Sequence, residues 1–291
     1  MHPKDSKIQN FNLVGIVPVG AQELDFGFPW HDSLQPIGKN YLAVEKAVFG
    51  CAMAGCKTIW VVCHKEMQPL IRHRLGDYII DPHKYNVSAN FANIPIKSEI
   101  PIYYVPVHPK DVDRRDSLSW SIITGANSAY WVSKKISKWV TPDRYFVSFP
   151  YGLYDTYLLR YIRKHINKPT PFYVSYNGKS FKDGLYLPFT FNSEDFITCR
   201  KNFRNEEVKG FDKDKKRVKA SEAYSGRFLT HDFVFDAVNC KDSHVMDIPW
   251  YYDISSWSGL KTWLSSDFLL DKPPEFILSY HEWNLIGMDN E

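Results

Sequence analysis

Cysteine is scarce in this sequence: there are five, Cys51, Cys56, Cys63, Cys199 and Cys240, with no CxxC pair among them. An odd and scattered set indicates neither a disulfide framework nor a zinc site, so reduced and mostly buried thiols are expected. No run of about 18 apolar residues is present, and the opening MHPKDSKIQNF lacks the apolar core of a secretory signal. A soluble, cytoplasmic protein without a membrane partner is therefore expected. There is no internal repeat and no low-complexity segment. Charge of one sign is also missing: the net charge is +3, and Arg200–Lys219 alone holds nine Lys or Arg against four Asp or Glu, which leaves the remainder at −2. Basicity is local, and nucleic acid is not expected as a partner.

What is present suffices for a large core. With 291 residues and 44% hydrophobic content, the chain can form one large domain or a domain with a subdomain. Its most informative stretch is Asn12 to His64. Asn12–Val19 is a short apolar run without alternation, as expected of a strand covered on both faces. From Asn40 to Ala54 apolar residues recur at helical spacing, with Glu45 and Lys46 as the only charges, and Gly55 is a helix stop. Thr58–Cys63 (TIWVVC) is a second buried-type strand. The unit reads as βαβ with parallel strands, and ligands in such sheets bind beyond the carboxyl ends of the strands, here toward Gly20–Lys39.

The alternation continues. A helix is expected within Lys65–Gly76, a strand at Ile102–Val107 with Pro106 marking an edge or an early end, and a helix over Ser117–Lys138, whole or broken near Gly125. Tyr145–Phe149 and Tyr154–Lys164 read as strand and helix. This pattern predicts an α/β fold with a mostly parallel sheet flanked by helices. Further on, Phe172–Tyr176, Gly184–Thr190 and Asp232–Ala237 read as strands, Ser193–Phe203 as a helix capped by Ser193, Trp250–Ile254 as a short strand and Ser256–Asp267 as a helix. Arg200–Lys219 reads as a surface excursion, and the tail from Lys272 as packed on the body.

Several stretches carry a resemblance: Pro18-Val19-Gly20 after a strand, Leu34-Gln35-Pro36-Ile37-Gly38-Lys39 before a helix, Ala54-Gly55-Cys56-Lys57-Thr58-Ile59-Trp60-Val61-Val62, Gly125-Ala126-Asn127-Ser128-Ala129, Gly184-Leu185-Tyr186-Leu187 and Trp250-Tyr251-Tyr252-Asp253. In this order they resemble the sugar-phosphate nucleotidyltransferases of GT-A-like (nucleotide-diphospho-sugar transferase) fold. The resemblance implies one domain over 1–291, with a nucleotide-binding half at 12–165, a sugar or acceptor half at 166–271 and a packed tail at 272–291. It also implies transfer of a nucleotide from an NTP to a sugar 1-phosphate with Mg²⁺. The same scaffold admits a glycosyltransferase using a nucleotide-sugar, or a catalytically silent binder of nucleotide or of a protein partner. The departures lie in the expected site. The family's loop arginine has no counterpart between Gly20 and Leu34, Asp32 stands where the family has a lysine, and no Gly-Asp follows the fourth strand.

Two anionic reactants must meet in such a reaction, so the site needs a metal, cations and backbone N–H groups. The candidates are Gly20, Ala21, Gln22, Gly125 and Ala126 for the nucleotide, with Gly125–Ala129 opening a helix near the base. Asp32, beside His31, and Lys39 are candidates for catalysis, Lys179 and Lys182 for the sugar phosphate, and Asp155 and Asp253 for the metal. Each has a bland alternative: Asp155 and Asp253 as turn or cap residues, His31 and Asp32 as solvated loop, the lysines as surface charge. Asp212-Lys213-Asp214, formally a D-x-D, reads as a solvated cluster. His64, His73 and His108 lack ligand spacing and make no case for a metal.

Overall fold

The structure is a computed structural model that describes residues 11–20, 31–85, 98–112, 115–136, 141–208, 229–274 and 277. Its organising strand is β1, Leu13–Pro18, in which every residue is buried. The reason is that helices cover both faces. Leu13 and Val17 pack into one apolar cluster with helix α1, Ala43–Ala54, while Val14 and Ile16 pack into a second cluster on the other face. A strand sandwiched this way gains from apolar side chains at every position, which is why the alternation is absent.

Two short strands, β2 (Pro36–Gly38) and β3 (Tyr41–Leu42), form a small antiparallel hairpin before α1. Strand β4, Thr58–Cys63, then pairs parallel to β1, so the expected βαβ unit is present. Helix α2, Gln68–Leu75, leads to β5, Tyr78–Ile80, which pairs antiparallel with β6, Glu99–Pro106. β6 itself is parallel to β4. Because β5 takes the edge, Pro106 marks the end of its strand, where Val107 N–H bonds to the Cys63 carbonyl at 2.9 Å. Helix α3, Leu118–Ile136, carries the chain to β7, Arg144–Val147, which pairs parallel to β1 on its other side. The expected set of parallel strands before residue 150 is thus β7, β1, β4 and β6, joined by helices.

The second half adds β8 (Gly152–Leu153), α4 (Leu159–Ile166), β9 (Phe172–Ser175), β10 (Phe189–Phe191), α5 (Ser193–Val208), α6 (His231–Phe235), β11 (His244–Asp247), β12 (Tyr252–Asp253) and α7 (Trp257–Leu264). The large sheet has the order β11-β9-β10-β7-β1-β4-β6-β5, with β12 and β8 paired separately. It is mixed and mostly parallel, as expected, although β10 runs antiparallel to both neighbours.

Four expectations need correction. Asp232–Ala237 is not a strand: His231, Val234 and Phe235 are buried at i, i+3 and i+4, so this short segment buries one helical face rather than alternating. Gly184–Thr190 pairs only from Phe189, because a 3₁₀ turn at Phe181–Asp183 occupies the chain just before it. The cap of α5 is Asn192, whose Oδ1 accepts from the N–H groups of Glu194 and Asp195 at 2.9 Å each, rather than Ser193. Gly125 neither breaks nor opens α3; it lies in its middle. The edge strands β5 and β11 were not foreseen, and most of the tail and of Arg200–Lys219 falls outside the described residues. Four of the five cysteines are buried and all five are free, as expected.

Gly125 is where α3 lies on the sheet. A Cβ there would stand 2.9 Å from Cγ2 of both Ile16 and Val62, so the side-chain layer leaves no room for it. Alanine at this site should gain about 1 kcal/mol of helix propensity yet lose more to overpacking. We expect Gly125→Ala to destabilise the fold by up to about 2 kcal/mol in urea unfolding, and a stabilised variant would contradict this packing.

Candidate functional site at the carboxyl edge of the parallel strands

The carboxyl ends of β1, β4 and β6 converge on the start of α3. Val19 and Gly20 both donate their N–H to the Val62 carbonyl at 2.8 Å, which holds the end of β1 against the end of β4. Ser121, in the first turn of α3, lies against Gly20: its hydroxyl is 3.5 Å from the Gly20 carbonyl, and a Cβ on Gly20 would be 2.5 Å from Ser121 Oγ. Gly20 is therefore required for close approach rather than being only a turn. Ala21 and Gln22 lie outside the described residues.

Three titratable side chains gather at this edge. His64, just after β4, has Nε2 2.9 Å from Asp116 Oδ1, just before α3. That bond holds the imidazole above its usual range. His31, just before a 3₁₀ turn at Asp32–Leu34, accepts the Ser33 N–H at Nδ1 (3.2 Å), with Ser33 Oγ 2.9 Å away. Burial, and then the field of His64, push it down to about 4. His31 is consequently neutral at physiological pH, with its proton on Nε2. Asp32 is half-buried, and its charge reaches the fully buried Tyr151.

A second polar feature lies beneath the turn after β7. Helix α1 is buried at all twelve positions, including Glu45 and Lys46. Glu45 caps its own helix through the Leu42 N–H (2.7 Å) and pairs with Arg74 at 3.1 Å. Lys46 reaches across to donate to the carbonyls of Gly152 and Phe149, the latter at 3.4 Å, and sits 4.2 Å above the Tyr154 ring. Gly152 is opposite Asp253 in the β8–β12 pair, so Lys46 anchors the strand that carries Asp253's partner.

The remaining candidates are placed as follows. Gly125 and Ala126 are buried seven or eight residues past the first residue of α3, facing the sheet, and are closed to a ligand; residues 117–121 occupy the edge instead. Lys39 is exposed in the β2–β3 turn. Lys179 is exposed after a tight turn at Asn177 and Gly178, both at positive φ. Lys182 donates to the Asp236 carbonyl at 2.7 Å and lines a separate cavity of about 470 Å³ whose other walls include the acids Glu206, Asp232 and Asp236. Asp155 Oδ1 caps the next turn by accepting from Tyr157 N–H at 2.9 Å, and Asp253 Oδ1 accepts from Ser255 N–H at 2.8 Å. The bland readings of both aspartates are thus part of the structure.

No group of three or more His, Cys, Asp or Glu side chains able to hold a metal ion exists among the described residues. The carboxylates therefore do not fit a closed, resident metal cage. A magnesium ion asks less of the protein: it keeps several waters and needs one or two carboxylates plus substrate phosphates.

A protein from Bacillus anthracis described as a glucose-1-phosphate thymidylyltransferase, in complex with sucrose, superposes with a TM-score of 0.51 at 10% identity, covering 89% of this chain and 98% of that one. The fold is GT-A-like. A UDP-glucose pyrophosphorylase complexed with UDP-glucose is also 10% identical, over 87% of this chain and 97% of that one, at a TM-score of 0.48. No protein-family model and no curated protein matches the chain. At 10% identity the likeness establishes the fold, and the chemistry has to be argued from the edge itself. Among the described residues no helix is long and apolar enough to cross a membrane.

What the sequence missed at this site is the His64–Asp116 pair and the reach of Lys46. Burial pulls the Lys46 ammonium from 10.5 down to about 7. Its folded value lies below its unfolded one, so unfolding takes up a proton between those limits and the fold gains stability as pH rises through the window. Against a Lys46→Met variant, the wild type should gain about 2 kcal/mol from pH 7 to pH 9. Urea titrations at both pH values test this; a gap that does not move with pH would contradict it.

Proposed function

We propose that this chain is a transferase that binds a nucleoside phosphate across the carboxyl edge, between the Gly20 turn and the start of α3. The observation that carries the reading is the convergence of these two features: the N-terminus of a 19-residue helix meets the end of the central parallel strand. The helix dipole favours a phosphate there. Residues 12–165 form the nucleotide half in this reading, and 166–271 the acceptor half. The reaction is transfer of a nucleotide from an NTP to a sugar 1-phosphate with release of pyrophosphate. Asp253 would hold a magnesium ion that arrives with the phosphates and offsets charge at phosphorus. Asp32 and Lys39 are the catalytic candidates in this reading. Lys182 is held by Asp236, which leaves Lys179 as the more accessible cation of the acceptor half.

A second reading, glycosyl transfer from a nucleotide-sugar with release of a nucleoside diphosphate, is favoured by one specific observation. Uniting an NTP with a sugar phosphate calls for cationic side chains, yet Asp32 stands where the resemblance led one to expect a lysine. A panel of NTPs with sugar 1-phosphates, and of nucleotide-sugars with acceptors, separates the two by product: pyrophosphate for the first, nucleoside diphosphate for the second. Absence of either product across the panel would contradict the transferase reading. In whichever reaction proceeds, Asp253→Asn should keep its melting temperature, because the amide oxygen still accepts from Ser255, and lose more than tenfold in turnover with magnesium. Unchanged turnover would remove Asp253 from the metal role.

A further inference from the structure

We propose that His64 is a general base that takes the proton of an acceptor hydroxyl, oriented by Asp116 and assisted by a hydrogen bond from His31. The inference rests on the nucleotide-sugar form of the reading above and goes beyond it by naming the acceptor chemistry. Asp116 Oδ1 is 2.9 Å from His64 Nε2, so the Nε2 proton faces the carboxylate and Nδ1 is the nitrogen left to act. A buried carboxylate holding one imidazole N–H fixes tautomer and ring orientation while the opposite nitrogen accepts a proton. The pair is accessible without being solvated: the side chains of His64 and Asp116 are 26% and 15% exposed. His31 supplies the complementary group. Its Nδ1 is occupied as an acceptor by Ser33, so its Nε2–H is a donor, and neither that nitrogen nor His64 Nδ1 has a hydrogen-bond partner among the described residues. One acceptor and one donor at the same edge match a hydroxyl, which can give a proton to the first and receive a hydrogen bond from the second.

The chemistry of a general base argues for a neutral acceptor. The groups whose fields reach His64 are Asp116 from the start of α3, Glu66 two residues on, and neutral His31. A phosphate nucleophile, already an anion, needs no base. An alcohol needs one. In the step proposed, the acceptor oxygen bonds to the anomeric carbon of the nucleotide-sugar as its proton passes to His64 Nδ1. The bond from that carbon to the diphosphate oxygen breaks, and its electron pair leaves with the nucleoside diphosphate. Water and a sugar alcohol share the same hydroxyl chemistry, and separate assay arms distinguish them.

The test follows release of nucleoside diphosphate from UDP-glucose and dTDP-glucose, with water alone and with methyl glucoside, for the full-length wild type, His64→Gln and Asp116→Asn. In the wild type, kcat should rise with pH, with unit slope on a logarithmic scale, to a plateau reached above the ordinary histidine range, since a protonated His64 cannot accept. This profile needs no variant to fold. His64→Gln should lose about 100-fold or more in kcat with KM changed by less than about threefold. Asp116→Asn should lower kcat and move the inflection to lower pH, a shift that a purely structural tether between β4 and α3 would not produce. A flat wild-type profile, or His64→Gln at wild-type kcat, overturns the proposal. So does pyrophosphate release from an NTP and a sugar 1-phosphate with no turnover of nucleotide-sugar, an outcome in which the nucleotidyl reading survives; no turnover in any arm removes both.

Discussion

The constraint on which this structure depends is that β1 is packed from both faces at once. α1 on one side and α3 on the other must both come close to the same strand, and the chain meets this with apolar side chains at five of six β1 positions and with small residues at the contacts, such as Gly125 against Ile16 and Val62. Each fully buried aliphatic side chain contributes about 1.5–3 kcal/mol, so this layer is a large part of what opposes chain entropy. The same approach fixes the edge: once α3 lies on β1, its first turn has to meet Gly20, and Asp116 has to meet His64.

Electrostatics then differentiate the two ends of the site. Beneath the turn after β7, Lys46 is fully buried and bound to backbone carbonyls and an aromatic face, with no carboxylate paired to it among the described residues, a costly arrangement whose return is a fixed loop. Above, the accessible groups are histidines, one raised by its carboxylate partner and one depressed by burial. The two histidines therefore differ in kind: Asp116 favours the protonated form of His64, and burial keeps His31 neutral.

The sequence was most informative where burial is two-sided. The continuous run in β1 and the helical spacing of α1 have few alternative readings, and the order of weak motifs pointed to a fold that the B. anthracis structure supports. Short segments were less legible. Phe233-Val234-Phe235 suits strand and helix alike, and only the burial of His231 beside Val234 and Phe235 decides between them. The start of α3 was legible at Ser117, a hydroxyl ahead of an apolar run, whereas Gly125 was misread: it serves the close approach of the helix to the sheet rather than a break or an opening. Ser117 Oγ indeed accepts the Trp120 N–H at 3.2 Å. The His64–Asp116 pair joins residues 52 positions apart, and such a contact leaves no local pattern to read. Lys46 was hidden for another reason: a lysine beside a glutamate on a helix ordinarily marks the solvent face, and here both are buried.

The central claim is that a nucleoside phosphate binds at the carboxyl edge of β1. Hydrogen–deuterium exchange of the full chain, with and without UTP, dTTP and UDP-glucose in the presence of magnesium, tests it most directly. The account predicts slowed exchange in peptides spanning residues 16–20, 31–35 and 115–121 with at least one of these ligands. Protection confined to the cavity lined by Lys182 and Asp236, or no protection with any of the three, would contradict it.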